Sequence, residues 1–411
     1  MNIWIINHYA MPPKYEMRLR TIMMAKYLQE AGHKVKILCA STIHNTNINL
    51  IDKNGPLYIE KSYEGLEYVH IKTSEYSGNG LSRIKNMLQF PFRLIKVSKQ
   101  INTKPGVIIC DLGAMLAPIP YFISKSIGAE FVLEVRDLWP ESIIEYKKLS
   151  RKNPFVKLMY FVEKWVYKKS DKIVFTMEGG RDYITEKGWD KVIDVSKVYH
   201  INNGVDLKTF NENKEKYSIV DEDLNDDTKF KVIYAGSIRL ANNVKKIVEA
   251  ARIIQESNFA NIKFLIYGDG SDKLQLEDFC KKNDIKNVKF KGQVDKKLIP
   301  FVLSKSDINI LHFEQNSLKK YGGSLNKMFE YFASGKPTVS DCEFGYDLIN
   351  RYKAGVSMNL LAADQIANVI INFYEMDSQE YNEYCNNSLK AADDFDYKKL
   401  ISRFEKELIN S

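Results

Sequence analysis

Short apolar runs rich in β-branched residues alternate along the chain with longer stretches whose apolar positions recur at helical spacing, the pattern of parallel βαβ units. In the first half the runs are NIWIIN from Asn2, KVKILCA from Lys34, VIICD from Val107, FVLEV from Phe131, KIVFT from Lys172 and VYHIN from Val198. Between the first two, Ile22, Ala25 and Leu28 fall at three-residue steps and Gly32 closes the helix, so strand, helix and strand form one unit. A second series starts afresh with FKVIYAG from Phe230. It continues through IKFLIYG from Ile262, VKFKG from Val288, INILHF from Ile308, PTVS from Pro337 and AGVSM from Ala354.

The restart predicts an α/β protein of two Rossmann-like domains, each built on a parallel sheet. Between the series lies DLKTFNENKEKYSIVDEDLNDDTK from Asp206, polar, acid-rich and with little apolar periodicity, which reads as an interdomain linker or a surface excursion. The closing stretch from Tyr397 puts Leu400, Ile401, Phe404 and Leu408 on one helical face, and this helix is expected to return to the first domain. The expected division is residues 1–205 with a C-terminal helix over about 390–411, and residues 206–389.

At 411 residues the chain is too long for one compact core, and 45% hydrophobic content is too high for extended disorder. No eighteen-residue apolar run occurs, and MNIWII enters a strand without a charged segment or cleavage site. These features predict a cytoplasmic protein that spans no membrane. Cys39, Cys110, Cys280, Cys342 and Cys385 lie far apart without CxxC spacing and read as free thiols, with neither disulfide nor zinc.

The formal charge of +8 divides unevenly, with 30 basic against 20 acidic side chains in residues 1–200 and 30 against 32 in the remainder. A basic first half is either drawn to an anionic partner, lipid headgroups or nucleic acid, or is a solvated lysine-rich surface. Two stretches concentrate the charge. LSRIKNMLQFPFRLIKVSKQ from Leu81 interleaves Ile84, Leu88, Phe92 and Ile95 with Arg83, Lys85, Arg93, Lys96 and Lys99. The segment 147–172 combines Lys147, Lys148, Arg151, Lys152 and Lys157 with Phe155, Leu158, Phe161 and Trp165. Each is either a helix lying on a membrane surface or a packing helix with a solvated basic face.

The segment YGGSLNKMFEYFASGKPTVS from Tyr321 is the most informative chemically. Leu325, Met328, Phe329 and Phe332 at i, i+3, i+4 and i+7 define a helix with one buried face, and Ser324 is its expected N-cap. Gly322 and Gly323 permit a ligand to approach the amides of the first turn, where the helix dipole favours a diphosphate. Lys327, Glu330, Tyr331 and Ser334 share the opposite face. Lys327 there adds charge near the phosphates, and Glu330, one turn on, accepts hydrogen bonds from ribose hydroxyls. Taken alone, a Gly-Gly-Ser helix start is equally an ordinary turn.

FEYFASGKPTVS resembles the signature of the family 4 glycosyltransferases, a Glu-bearing helix followed by a small residue, Gly, any residue and Pro before an apolar strand. VIYAGSI from Val232, FLIYGDGSDKLQLEDF from Phe264, VKFKGQV from Val288 and SKSDINIL from Ser304 are similar to the family's successive strand and loop motifs. INNGVDLKTF from Ile201 resembles its Asn-Gly-Val-Asp link between domains. The resemblance covers nearly the whole chain. It implies the GT-B fold, two Rossmann-like domains with parallel sheets facing a central cleft, and retaining transfer of a sugar from a nucleotide diphosphate with neither metal nor other cofactor. It also implies a donor site on Gly236, Ser237, Gly268, Gly270, Gly292, Gln293, Val294, Gly322, Gly323, Ser324 and Leu325. The partners implied are a nucleotide sugar, UDP-linked, and a glycan or polyprenyl-diphosphate-linked sugar, without nucleic acid.

EVRDLWPES from Glu134 and the Ser-Leu-x-Lys start of the Glu helix resemble the branch that includes fucosamine transferases of O-antigen and capsule assembly. That branch implies an amino or deoxyamino sugar and a place on the inner face of the plasma membrane. The chain also departs from the family. The first of two glutamates, eight positions before Glu330, is Gly322, and the phosphate-binding Arg and Lys align with Ser237 and Asn242. Arg239 and Lys327 are the expected replacements, while Lys245 and Lys246 read as solvated surface residues.

On the acceptor side, RDLWPES places Arg136, Asp137 and Glu141 beyond the carboxyl end of a strand. Trp139 is expected to stack on a sugar, and Asp137 either orients the acceptor hydroxyl or caps its own loop. The first strand-to-helix turn offers His8, Lys14, Glu16, Arg18 and Arg20, with His8 the weakest candidate. Two competing readings are a sugar-nucleotide 2-epimerase, for which the six histidines form no evident cluster, and a degenerate nucleotide-binding subunit.

Overall fold

The computed structural model describes the chain except residues 17, 18, 45, 79, 240, 241, 314, 360, 361, 410 and 411. It divides into two compact units, Met1–Asn202 with Tyr397–Ser411, and Asn203–Asp396.

The first unit runs through β1 (Asn2–Asn7), α1 (Arg20–Glu30), β2 (Lys34–Ala40), β3 (Tyr58–Tyr63), β4 (Leu66–Ile71), α2 (Leu81–Gln100) and β5 (Val107–Asp111). It continues through α3 (Pro118–Ser126), β6 (Glu130–Val135), α4 (Glu141–Lys147), α5 (Pro154–Lys169), β7 (Lys172–Phe175), α6 (Gly180–Glu186) and β8 (Val198–His200). The strands lie in the order β3-β4-β2-β1-β5-β6-β7-β8. Ile3, Ile5, Ile37, Ile109, Val132 and Ile173 are fully enclosed, since helices cover both faces of a parallel sheet and leave near-continuous apolar strands.

The edge differs from the expected all-parallel sheet. β3 pairs antiparallel with β4, Tyr58 opposite Ile71 and Tyr63 opposite Leu66. Glu64 and Gly65 form the two-residue connection with φ of 51° and 81°, the positive pair that a tight hairpin turn requires.

The second unit begins with α7 (Leu207–Lys216), α8 (Glu222–Asn225), β9 (Phe230–Ala235), α9 (Val244–Glu256), β10 (Ile262–Tyr267), α10 (Lys273–Lys282), β11 (Val288–Gly292) and α11 (Ile299–Ser304). Then follow β12 (Ile308–Leu311), α12 (Asn326–Ala333), β13 (Thr338–Ser340), α13 (Leu348–Tyr352), β14 (Gly355–Ser357), α14 (Ala363–Glu375) and α15 (Ser378–Asp394). Its six strands are parallel in the order β11-β10-β9-β12-β13-β14. Alternate residues feed two cores: Val232, Phe264 and Ile310 pack with α9 and α14, whereas Ile233, Leu265 and Leu311 pack with α11 and α12.

Two expectations about boundaries are corrected. The polar stretch after Asp206 is not a linker. Asp206 caps α7 by accepting from the Thr209 amide, and Phe210 and Leu224 are buried in the second unit's core. Residues 390–394 belong to α15 of the second unit, and only α16 (Tyr397–Leu408) joins the first. There α16 packs on α1, and Glu405 pairs with His33 at 3.1 Å.

Candidate functional site

In each unit the strand order reverses at one place, between β1 and β5 in the first sheet and between β9 and β12 in the second. Helices leave the sheet in opposite directions at such a reversal and open a crevice beyond the carboxyl ends of the strands.

In the second unit three backbone turns line that edge. Gly236 donates to Tyr267 O at 2.9 Å, Gly268 to Gly292 O at 2.7 Å and Ile238 to Asp269 O at 2.9 Å, which ties the loops after β9, β10 and β11 together. Gly268 has φ of +143°, and a Cβ there would overlap the Gly236 carbonyl oxygen; a Cβ on Gly270 would overlap that of Ile238. Gln293 is exposed and Val294 half-buried on the loop after β11. Gly322 has φ of +97°, and a Cβ on Gly323 would meet the Phe344 ring at 2.6 Å.

α12 is fastened to β9 by Tyr331, whose hydroxyl accepts from the Ala235 amide at 3.1 Å. The residue is fully buried, which corrects its expected place on the ligand face. This fastening carries Lys327 over the Gly236 turn, so closely that a Cβ on Gly236 would overlap its Nζ. The ammonium donates to Tyr234 Oη at 3.2 Å and lies 4.6 Å from the Tyr234 ring centroid and 5.5 Å from that of Phe313. Burial lowers its pKa to about 8, against the pull of Glu330. Burial likewise raises the Glu330 carboxyl, against Lys296 and Lys327.

Ser324 is not the N-cap. Its hydroxyl accepts from the Asn203 amide and its carbonyl from Asn203 Nδ2, both at 2.7 Å. Leu325 holds the cap position and brings no side-chain hydrogen bond. No side chain caps the first turn of α12, where the Met328 amide donates to Leu325 O at 3.1 Å, and a helix start without a side-chain cap is an arrangement that accepts an anion.

The two positions where the family carries phosphate-binding cations bond to each other here. Asn242 Nδ2 donates to Ser237 O at 2.6 Å and to Ser237 Oγ at 2.7 Å, a neutral closure of the loop. Arg239 is exposed on that loop. Lys245 is exposed and pairs with Glu249 at 3.6 Å. Lys246 is not a solvated residue as expected, because it reaches the buried Asp341 at 2.9 Å, and Asp341 also meets His312 Nδ1 at 2.5 Å. Nothing in the sequence pattern marks this cluster beyond the strand-end positions of His312 and Asp341.

In the first unit a pocket of about 210 Å³ opens at the ends of β1, β5 and β6. Asn7, His8, Asp111, Arg136, Asp137 and Trp139 are among its lining residues. His8 is buried edge-on against Tyr9 and Phe90, and burial lowers it to about 4, against a weaker pull from Asn86. It is a neutral imidazole.

Arg136 is held rather than free: Nε lies 2.6 Å from Glu134 Oε1 and 3.0 Å from Asp111 Oδ2. Arg20 is buried, pairs with Glu134 Oε2 at 3.0 Å and donates to Asn202 O at 2.6 Å. Burial favours a neutral Glu134, but the two arginines outweigh it and lower its pKa. Asp111 is raised to about 6, by burial chiefly and against Arg136.

Glu16 is buried and accepts from the Met11 amide at 3.2 Å, closing its own loop. Glu141 is also buried, in a cluster with Arg151, Tyr160 and Lys187. Lys14 is exposed, and Arg18 lies outside the described residues. The pocket thus gathers His8, Arg136, Asp137 and Trp139, and adds Asn7 and Asp111, which the sequence reading missed although Asp111 ends the strand VIICD.

Two family descriptions match the chain, "Glycosyltransferase Family 4" over residues 19–209 and "Glycosyl transferases group 1" over residues 215–391. Each covers less than half of the chain; taken together they span both units and mark the chain as a glycosyltransferase, similar over its first half to family 4. No curated protein matches the sequence.

Several solved structures are similar in fold. Anabaena HepE in complex with UDP and glucose shares 14% identity with a TM-score of 0.65, covering 100% of both chains. Sucrose-phosphate synthase from Thermosynechococcus elongatus shares 15%, TM-score 0.72, covering 98% of this chain and 97% of that one. WaaG, a glycosyltransferase involved in lipopolysaccharide biosynthesis, shares 12%, TM-score 0.66, covering 100% of both. These likenesses establish the GT-B fold, with both units α/β.

Proposed function

We propose that this glycosyltransferase moves an N-acetylated amino or deoxyamino sugar from UDP to a hydroxyl of a glycan or polyprenyl-diphosphate-linked acceptor. Transfer proceeds with retention and without metal, in cell-surface polysaccharide synthesis on the cytoplasmic side of the membrane. The observation that carries the reading is Lys327, whose ammonium lies over the Gly236 turn at the start of α12. HepE, similar in fold, holds UDP, which supports the choice of nucleotide.

Sugar transfer requires stabilisation of a departing diphosphate and a positioned hydroxyl. The α12 amides and Lys327 take the diphosphate, with Arg239 adding charge from the loop, and Glu330 accepts from the ribose. Gly236, Gly268 and Gly270 let the nucleotide approach backbone. Asp137 orients the acceptor hydroxyl and Trp139 stacks on its ring, while Arg136 holds the pocket floor through Asp111 and Glu134. The leaving phosphate oxygen takes the acceptor proton.

The test incubates purified protein with a panel of UDP-sugars, with and without a lipid-diphosphate sugar. UDP release that depends on acceptor is expected. Exchange at C2 without acceptor, or binding without turnover, would sink the proposal.

A further inference from the structure

Three neighbouring helices of the first unit leave a run of apolar side chains in solvent, and we propose that this layer docks onto an anionic lipid bilayer. α2 packs against α3, and α3 against α5. α2 has two apolar faces. One, with Phe90, Leu94 and Val97, is buried in the unit. The other carries Leu81, Ile84, Leu88, Phe92 and Ile95, all exposed, from 38% at Ile95 to 83% at Leu81. Their intervals of three and four residues draw one stripe along a helix of 20 residues, about 30 Å long.

The layer extends onto the other two helices. Phe122 of α3 is 60% exposed and rests on Trp165 of α5, with ring centroids 5.6 Å apart. Phe155, Leu158 and Phe161 of α5 are exposed as well. A packing helix needs one apolar face, and single exposed apolar residues need no explanation. A second continuous stripe, joined by aromatics of two neighbours, marks an interaction surface.

Charge decides what covers it. α2 holds five basic residues and no acidic one. Two of the five are engaged: Arg83 donates to Tyr9 Oη at 3.1 Å and Arg93 to Lys72 O at 2.6 Å. Lys85, Lys96 and Lys99 stay exposed, and helical spacing sets all three within about 60° of the apolar stripe. On α5, Lys157, Lys168 and Lys169 are exposed while Glu163, its one acid, is buried.

A second copy of the chain would set these lysines against each other, which like charge opposes. An anionic bilayer meets both features, with apolar side chains entering the acyl boundary and lysines the headgroups. No helix among the described residues is long and apolar enough to cross a membrane, so the contact lies in the membrane plane.

Vesicle flotation tests this without donor or acceptor, so its outcome is independent of the enzymatic reading. The wild-type chain is expected to float with phosphatidylcholine vesicles containing about 30 mol% phosphatidylglycerol and to stay behind with phosphatidylcholine alone. Leu88→Ser with Phe92→Ser should lower binding about tenfold or more. Lys85→Gln, Lys96→Gln and Lys99→Gln together should lower it about as far and flatten its salt dependence.

Urea midpoints of both variants should match wild type, because the altered side chains are exposed; if the serine pair unfolds, the glutamine variant alone decides. Equal binding to neutral and anionic vesicles, or no loss in the glutamine variant, overturns the proposal. A lipid-free dimer that the serine pair abolishes overturns it as well.

Discussion

Lys327 has an environment unlike that of an ordinary phosphate-binding lysine. Aromatic rings and backbone enclose its ammonium, and burial lowers its pKa to about 8. In the empty site it is charged below that pH and neutral above it, and a diphosphate binds the charged form. UDP affinity should therefore hold below pH 8 and fall as pH rises through it. Lys327→Met should weaken UDP binding at neutral pH about tenfold to a hundredfold, the loss of a charge-assisted contact, and remove the pH step. Titration calorimetry between about pH 7 and 9.5 reads both effects, and a flat wild-type profile would take Lys327 off the phosphates. Lys327 was legible because it lies within one continuous motif. The Arg20–Glu134 pair was not, since its partners stand 114 residues apart. Ser237 and Asn242 showed in the sequence only as two missing charges, and their mutual bond needed the loop's fold.

The turn after β10 and the hairpin between β3 and β4 depend on glycine for separable reasons. At Gly268 the φ of +143° strains any side chain and a Cβ would overlap backbone, which no rotamer change relieves. Gly65, with φ of +81°, has nothing within 4 Å of its would-be Cβ. Gly268→Ala should thus cost about 2–5 kcal/mol, strain and overlap together, and Gly65→Ala about 1–2 kcal/mol, strain alone. Urea denaturation measures the difference, and equal losses would mean that the loops part without cost. Gly65 also shows why the β3–β4 hairpin went unread: its turn is Glu-Gly, not the Asn-Gly or Asp-Gly that announces such a turn. Helix α7 was missed for a related reason. Phe210 is its one buried residue, so no apolar period existed to detect. β4 went unread with its hairpin partner although five of its six residues are buried.

Across the molecule, each unit has its own sheet and core, but the first is completed by α16, some two hundred residues after β8. Sequence showed that helix as an amphipathic stripe, and the structure identifies its partner as α1. Tyr397, Leu400, Ile401, Phe404 and Leu408 are buried. Arg403 donates to the His200 carbonyl, and Leu408 O accepts from Lys172 at 2.9 Å. Phe404→Ala should remove about 3–5 kcal/mol from the first unit, a large part of the stability of a domain. In the proposed function α12 and the Gly236 turn hold UDP, which would then stabilise the second unit by about 2.7 kcal/mol at a hundredfold excess over Kd. Calorimetry of Phe404→Ala should therefore show one transition moved down and insensitive to UDP, and a second raised by UDP as in wild type. A single transition that UDP rescues in full would show the two units unfolding as one, with the loss at α16 shared by both.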